Sequence, residues 1–185
     1  MKNGKWFRKM LSAVLCAAMV SGVGWGLGSP GNVLAAEPNV VENPSFEDSL
    51  TSSWLPWTAD SEGMFEQSAE KKSDGSYSLK LTGEATGKYI GVKSPYISVT
   101  AGDSFDFAMD FYGENGADSF IYVKYYNDSN QEIVPSPLHY TRGTGNGSWQ
   151  TLVCSVTVPA GATKAYLLMT TNRGHADTIY FDKAQ

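Results

Sequence analysis

The feature that most constrains this chain is a period-two alternation of apolar and polar residues. It recurs between turn residues from position 76 to position 183. Residues 104–112 put Phe105, Phe107, Met109 and Phe111 on one side and Asp106, Ala108, Asp110 and Tyr112 on the other. Residues 119–126 set Ile121, Val123 and Tyr125 against Phe120, Tyr122, Lys124 and Tyr126, and residues 149–158 align Leu152, Cys154, Val156 and Val158. Successive side chains of a strand point to opposite faces, so each such run buries one face as part of a sheet. Shorter runs at 76–82, 89–99, 132–134, 164–171 and 178–183 add strands, with Pro95 confining part of its run to an edge or bend. Turn residues at 127–130, 159–162 and 172–177 punctuate the pattern, and no helical period is found after residue 36. Roughly eight to ten short strands spaced this way predict an all-β fold, a two-sheet antiparallel β-sandwich of the jelly-roll type.

The first residues stand apart. Lys2, Lys5, Arg8 and Lys9 precede an apolar run over 10–23, and Gly, Ser and Pro then lead to Val33-Leu34-Ala35-Ala36. This is the pattern of a secretory signal peptide cleaved after Ala35 or Ala36. The run is too short and Gly-rich for a membrane anchor. Leu15 before Cys16 is too large for a lipoprotein site. The organisation expected is a signal peptide over 1–36 and one domain over 37–185, in a protein secreted to the extracellular space.

The leader holds four of the 14 basic residues and none of the 19 acids, leaving 10 against 19 and a net charge of −9. Such a surface excludes nucleic acid and anionic membranes as partners and suits a bound cation. Cys154 is the one cysteine beyond the leader, so no internal disulfide is expected there.

Asn43-Pro44-Ser45-Phe46-Glu47 offers a turn, an apolar anchor and a carboxylate, and Tyr180-Phe181-Asp182 offers another carboxylate on the last expected strand. If the ends of the domain lie side by side, Glu47 and Asp182 meet and require a hard, oxygen-liking cation, Ca²⁺ before Mg²⁺. Both can equally be surface acids beside buried Phe46 and Phe181.

These stretches resemble a known family. Asn43-Pro44-Ser45-Phe46-Glu47 is similar to the N-terminal signature of carbohydrate-binding modules of the family 4, 9, 16 and 22 type, calcium-binding jelly rolls of the galactose-binding-like superfamily. Ser73-Asp74-Gly75-Ser76-Tyr77-Ser78-Leu79 resembles the family's Gly-x-x-Ser-Leu strand, and Trp149 with residues 157–165 resembles its Trp-to-turn segment. Ile179-Tyr180-Phe181-Asp182 resembles its closing strand. The four motifs come in the family's order. The resemblance implies a structural Ca²⁺ held by Glu47 and Asp182, with backbone oxygens from Lys72 and Gly75. The chain departs from the pattern at Lys183, where the family usually has a second acid. The resemblance further implies a non-catalytic domain that binds a polysaccharide or oligosaccharide, either as a stand-alone binder serving a catalytic domain or enzyme on another polypeptide or as a piece of a longer enzyme.

Glycan recognition needs flat aromatic faces and planar polar groups. Trp54, Trp57, Trp149 and all ten Tyr lie beyond the leader. One candidate surface is a sheet face combining Asp106, Asp110, Tyr112, Tyr122, Lys124 and Tyr126, with Tyr112, Tyr122 and Tyr126 stacking on sugars. A solvated outer face with no ligand is the plain alternative. The other candidate surface is made of loops, where binding residues concentrate: Trp57, His139 and Arg142, and Asn172 and Arg173. Trp54 and Trp149 are expected in the core.

Catalysis is the weaker reading. Tyr140, His139, Arg142 and Tyr122 are residue types that polysaccharide lyases use, but no lyase spacing joins them. Asp106 and Asp110 would lie about 13 Å apart along a strand, wide for a glycosidase pair. No zinc, nucleophile-elbow or phosphate-loop motif is present. A structural or adhesive surface domain without a glycan site is the remaining alternative. The overall acidity favours a neutral plant or cell-wall glycan over a sulfated or polyuronate one.

Overall fold

A computed structural model describes residues 39–114 and 116–185. The expected signal peptide lies outside the described residues. Residues 39–185 form one compact unit of twelve strands: β1 (Leu55–Pro56), β2 (Phe65–Ser68), β3 (Ser78–Thr82), β4 (Gly91–Lys93), β5 (Ile97–Ser98), β6 (Ser104–Gly113), β7 (Asp118–Tyr126), β8 (Glu132–Ile133), β9 (Tyr140–Thr144), β10 (Gln150–Thr157), β11 (Lys164–Thr171) and β12 (Thr178–Asp182). Helical structure among the described residues is limited to a 3₁₀ turn at Ala59–Ser61.

The strands form two antiparallel sheets, as the alternation predicts. The larger runs β1-β4-β11-β7-β8, with β5 also paired to β11 and β9 to β7; the smaller runs β10-β6-β12-β3-β2. Their inner faces make one core. Phe107, Met109 and Phe111 of β6 meet Ile121, Val123 and Tyr125 of β7, joined by Leu79, Leu81, Leu167, Met169 and Phe181. Burying a side chain of this size stabilises by about 1.5–3 kcal/mol each. Trp54 is in the core as expected, its ring 5.1 Å from that of Phe46. Gly143 lets β9 lie close over the core, since a Cβ there would fall 2.6 Å from Phe111 Cδ1.

Three expectations need correction. The polar faces of β6 and β7 do not combine, because β6 belongs to the smaller sheet and β7 to the larger. Asp106, Asp110 and Tyr112 therefore point away from the core on one side, and Tyr122, Lys124 and Tyr126 on the other. Consecutive long strands of a sandwich pass from one sheet to the other, which alternation within each strand does not reveal. Trp149 is not a core residue; half-buried, it packs on the outer face of the smaller sheet against Tyr112, centroids 5.7 Å apart. The segment around Arg142, expected as a loop, is strand β9, paired along β7 with Phe120 opposite Arg142 and Tyr122 opposite Tyr140.

Candidate functional site

The first region is the junction of the two ends of the domain. Asn43 and Phe46 both take positive φ, 45° and 56°. The Asn43 side chain closes the turn, accepting from the Asp48 amide at 3.0 Å and donating to the Asp48 carbonyl at 2.8 Å. This turn buries Phe46 and leaves Glu47 outside. Glu47 Oε1 accepts the amides of Ser76 and Tyr77, both at 2.9 Å. Asp182 Oδ2 accepts the amides of Ser73 at 2.9 Å and Asp74 at 3.0 Å. Two carboxylates from opposite ends of the domain thus hold one turn, residues 73–77. Gly75 at its centre has φ +55°, and a Cβ there would fall 2.3 Å from Glu47 Oε1. The ends do lie side by side: the Ala184 amide donates to the Pro44 carbonyl at 2.8 Å.

Asp182 is fully buried. Burial pushes its carboxyl above the ordinary aspartate range, and the amides of Ser73, Asp74 and Lys183 offset this only in part. The nearby ammonium of Lys183 is directed to Asp110, at 3.8 Å. A buried, incompletely compensated carboxylate beside a second carboxylate and a backbone turn is a donor set of oxygens, which fits a hard cation. Among the described residues no three His, Cys, Asp or Glu side chains converge as a metal cluster. A cation here would therefore have to complete its shell from backbone carbonyls or water.

The second region is the outer face of the larger sheet. Strand register sets Leu55, Lys93, Leu168, Tyr122 and Tyr140 in one row across five strands. Phe120 and Tyr122 stack with centroids 6.1 Å apart, and Tyr140 lies 5.6 Å from Tyr122. Farther along β7, Tyr126 stacks on Tyr166 at 5.6 Å, and Tyr96 packs edge-on to both. From Phe120 to Tyr126 the aromatic track runs roughly 20 Å along the strand, enough for a short oligosaccharide. Tyr96 and Tyr140 are each about half exposed, 49% and 48%, Phe120, Tyr122 and Tyr126 are partly exposed, and Tyr166 is buried beneath its neighbours, so ring surface reaches solvent at both ends of the track.

The loop candidates gather at the Phe120 end. Trp57 donates its amide to the Gly91 carbonyl at 3.0 Å, at the end of the row that continues through Thr170 and Phe120 to Arg142. The Asn172 amide donates to the Asp118 carbonyl at 3.2 Å, and Arg173 Nε donates to the Gly87 carbonyl at 2.6 Å. The Arg142 guanidinium pairs with Asp118 and lies 5.6 Å from the centre of Phe120. Burial alone would raise the Asp118 carboxyl, but hydrogen bonds from Arg142 and Thr144 more than offset it and hold it below the ordinary range. His139 is turned inward, its Nδ1 2.8 Å from the Tyr125 hydroxyl, and burial lowers its pKa.

Tyr122, Tyr126 and Arg142 therefore share one face, with Trp57, Asn172 and Arg173 at its end, whereas Tyr112 lies on the far side of the sandwich. There the Tyr112 hydroxyl donates to Glu114 at 2.8 Å, and Lys71 covers the ring at 4.8 Å. Asp110, considered for acid–base chemistry, accepts hydrogen bonds from Ser73 and Thr151. Sequence reasoning missed Tyr96 and Tyr166. Tyr166 sits among apolar residues on both sides in 164–171 and reads as core, and only the register with Lys124 places it outward. Tyr96 follows Pro95 in the break between β4 and β5, where alternation is lost.

Comparison with known proteins agrees with this architecture. A family model described as a carbohydrate binding domain matches residues 38–176. Among solved structures, a family 16 carbohydrate-binding module is similar at 16% identity and TM-score 0.61, over 80% of this chain and 98% of that one. The C-terminal family 22 carbohydrate-binding module of Clostridium thermocellum Xyn10B is similar at 18% identity and TM-score 0.54, over 76% and 87%. The structure of TmCBM61 in complex with β-1,4-galactotriose is similar at 17% identity and TM-score 0.54, over 80% and 97%. At these identities the likeness is one of fold. A search of curated proteins found no match.

Proposed function

This chain belongs to the carbohydrate-binding domain family, whose members bind rather than cleave, and from that premise we propose that it lays a polysaccharide along the outer face of its larger sheet. The observation that carries this reading is the aromatic track from Phe120, Tyr122 and Tyr140 to Tyr126, Tyr166 and Tyr96. Sugar rings offer C–H faces that stack on such rings, while Arg142, Asn172, Arg173 and Trp57 border one end and supply polar and planar contacts. Tyr112 and His139 are left out of the contact surface. The proposed polymer has a predominantly neutral plant or cell-wall backbone, in keeping with the net charge of −9 beyond residue 36.

The proposal includes export through the N-terminal signal and a structural Ca²⁺ at the junction of the domain ends. Glu47 and Asp182 would hold it through carboxylate oxygens, and Lys72 and Gly75 through carbonyls. The ion would offset the charge of buried Asp182 and fix the turn that joins both ends. A catalytic domain, in the same polypeptide or on another, is the partner this role implies. One structural relative is a family 22 module crystallised with a xylanase GH10 module and xylohexaose.

The test is native affinity electrophoresis through gels containing single polysaccharides with Ca²⁺ present. Selective retardation that Tyr122→Ala abolishes supports the reading. Absence of retardation across neutral and acidic gels would turn it toward a structural or adhesive role.

A further inference from the structure

The two outer faces of the sandwich differ in charge. At strand positions facing away from the core, the smaller sheet carries Glu66, Asp106 and Asp110 against Lys80, with Asp182 of the same side buried. The larger sheet carries Lys93, Lys124, Lys164 and Arg142 against Asp118 and Glu132. A chain that is acidic overall therefore turns a locally basic face to solvent, and it is the face with the aromatic track.

That positive charge is unevenly spread. Arg142 is closed by Asp118, and Lys124 by Glu132 at 2.9 Å. Lys93 and Lys164 have no acid within ion-pair distance among the described residues. Both lie over the same tyrosine cluster. Lys93 Nζ is 5.4 Å from the centre of Tyr166 and Lys164 Nζ 4.8 Å from that of Tyr96, and those two rings are 5.5 Å apart. Lys164 also donates to the neutral Asn130 side chain. At the Phe120–Tyr122–Tyr140 end Arg142 is paired with Asp118; Arg173 likewise has no acid partner among the described residues, but its Nε is bound to the Gly87 carbonyl and its guanidinium lies over Tyr89, 5.4 Å from the ring centre, not over the rings of the track.

We propose that the track is polar along its length. Neutral sugars stack at the Phe120–Tyr122–Tyr140 end, and a uronic acid residue of the same polymer stacks on Tyr96 and Tyr126 at the other end, above buried Tyr166, its carboxylate met by Lys93 and Lys164. This rests on the reading of the face as a glycan platform. Lysine suits the task, since a compact ammonium on a flexible stem can follow a carboxylate at the rim of a sugar ring without the fixed fork geometry of arginine. Tyrosine faces beneath the ammoniums hold them over the platform when no glycan is bound. Sparse carboxylates on a neutral backbone also reconcile the local charge with the acidity of the whole chain, which would repel a densely charged polymer.

The experiment compares one polymer in two forms. A glucuronate-branched xylan, before and after carboxyl reduction to the neutral sugar, is offered to the full chain by affinity electrophoresis and calorimetry. The expected result is about tenfold tighter binding of an acidic form than of its reduced counterpart, equivalent to about 1.4 kcal/mol. Lys93→Met with Lys164→Met, which keeps the apolar stems, should remove that difference, bringing the acidic form to the affinity of the reduced one. Tyr122→Ala should weaken both forms. Equal binding of native and reduced polymers would overturn this inference, leaving the platform intact and the lysines as covers for tyrosine. Binding of neither form would overturn the platform reading and this inference with it. Dextran sulfate bound as tightly as the uronate polymer, with no dependence on Tyr96, would also overturn the inference, because it would reveal simple ion exchange.

Discussion

Glu47 and Asp182, far apart in sequence, accept hydrogen bonds from adjoining amides of a single turn, Glu47 from Ser76 and Tyr77 and Asp182 from Ser73 and Asp74. The turn is a clasp joining the first and last segments of the domain. Its centre admits only glycine, because Gly75 combines positive φ with the Glu47 carboxylate where a side chain would begin.

Gly75→Ala should therefore destabilise beyond an ordinary glycine substitution. A strained backbone conformation costs of order 1–3 kcal/mol, and displacement of Glu47 adds to it. In a domain of this size about 1 kcal/mol lowers Tm by roughly 2–4 °C, so calorimetry should show a fall of several degrees. An unchanged Tm would mean that the turn relaxes freely and is not a clasp.

Chelation should lower the melting temperature of the wild-type protein, since a ligand bound only to the folded state stabilises it, by about 2.7 kcal/mol at a hundredfold excess over Kd. Glu47→Ala should melt lower and lose its response to Ca²⁺. A melt insensitive both to exhaustive chelation and to Glu47→Ala would exclude the ion from this junction.

Two aspartates should respond to pH with opposite signs. Asp182 has its folded pKa raised by burial. Its contribution is full below the unfolded value and is lost as pH rises through the folded one. Without Ca²⁺, the wild type should gain stability relative to Asp182→Asn as pH falls toward the carboxylate range; with saturating Ca²⁺ the trend should reverse, since protons compete with the ion. Asp118 has its folded pKa lowered, so its contribution is present above the unfolded value and lost as pH falls through the folded one. Denaturation curves of both Asn variants across pH check the signs, and parallel behaviour of the two would contradict the environments described.

Tyr112 and Tyr122 should separate stability from binding. Tyr112 is buried at 7% exposure between Trp149 and Tyr180, so Tyr112→Ala should cost about 3 kcal/mol or more, in the range for large aromatic truncations. In the surviving folded fraction it should leave glycan affinity unchanged. Loss of affinity without loss of stability would move the site to the smaller sheet.

Much of the fold is legible in the sequence because alternation is a direct record of one-sided burial. The inward sets of β6, β7 and β10 follow from it residue by residue. Sheet membership is not legible that way: alternation separates two faces of each strand but does not say which strands are neighbours, so Tyr112 and Tyr122 were expected together and lie on opposite sides. The pairing of the domain ends is recoverable from the motif around Phe46 and the closing Phe181-Asp182. The aromatic track is only half visible, because Tyr166 is flanked by apolar residues and Tyr96 sits in a strand break. Arg142 and Asp118 announce nothing in isolation; the β7–β9 register brings them together.

Whether the outer face of the larger sheet is a glycan platform is decided by comparing the wild type with Tyr122→Ala in native gels containing single polysaccharides. The wild type should be selectively retarded in at least one gel, and a folded Tyr122→Ala variant should migrate freely in that same gel. Equal retardation of the two would contradict the platform.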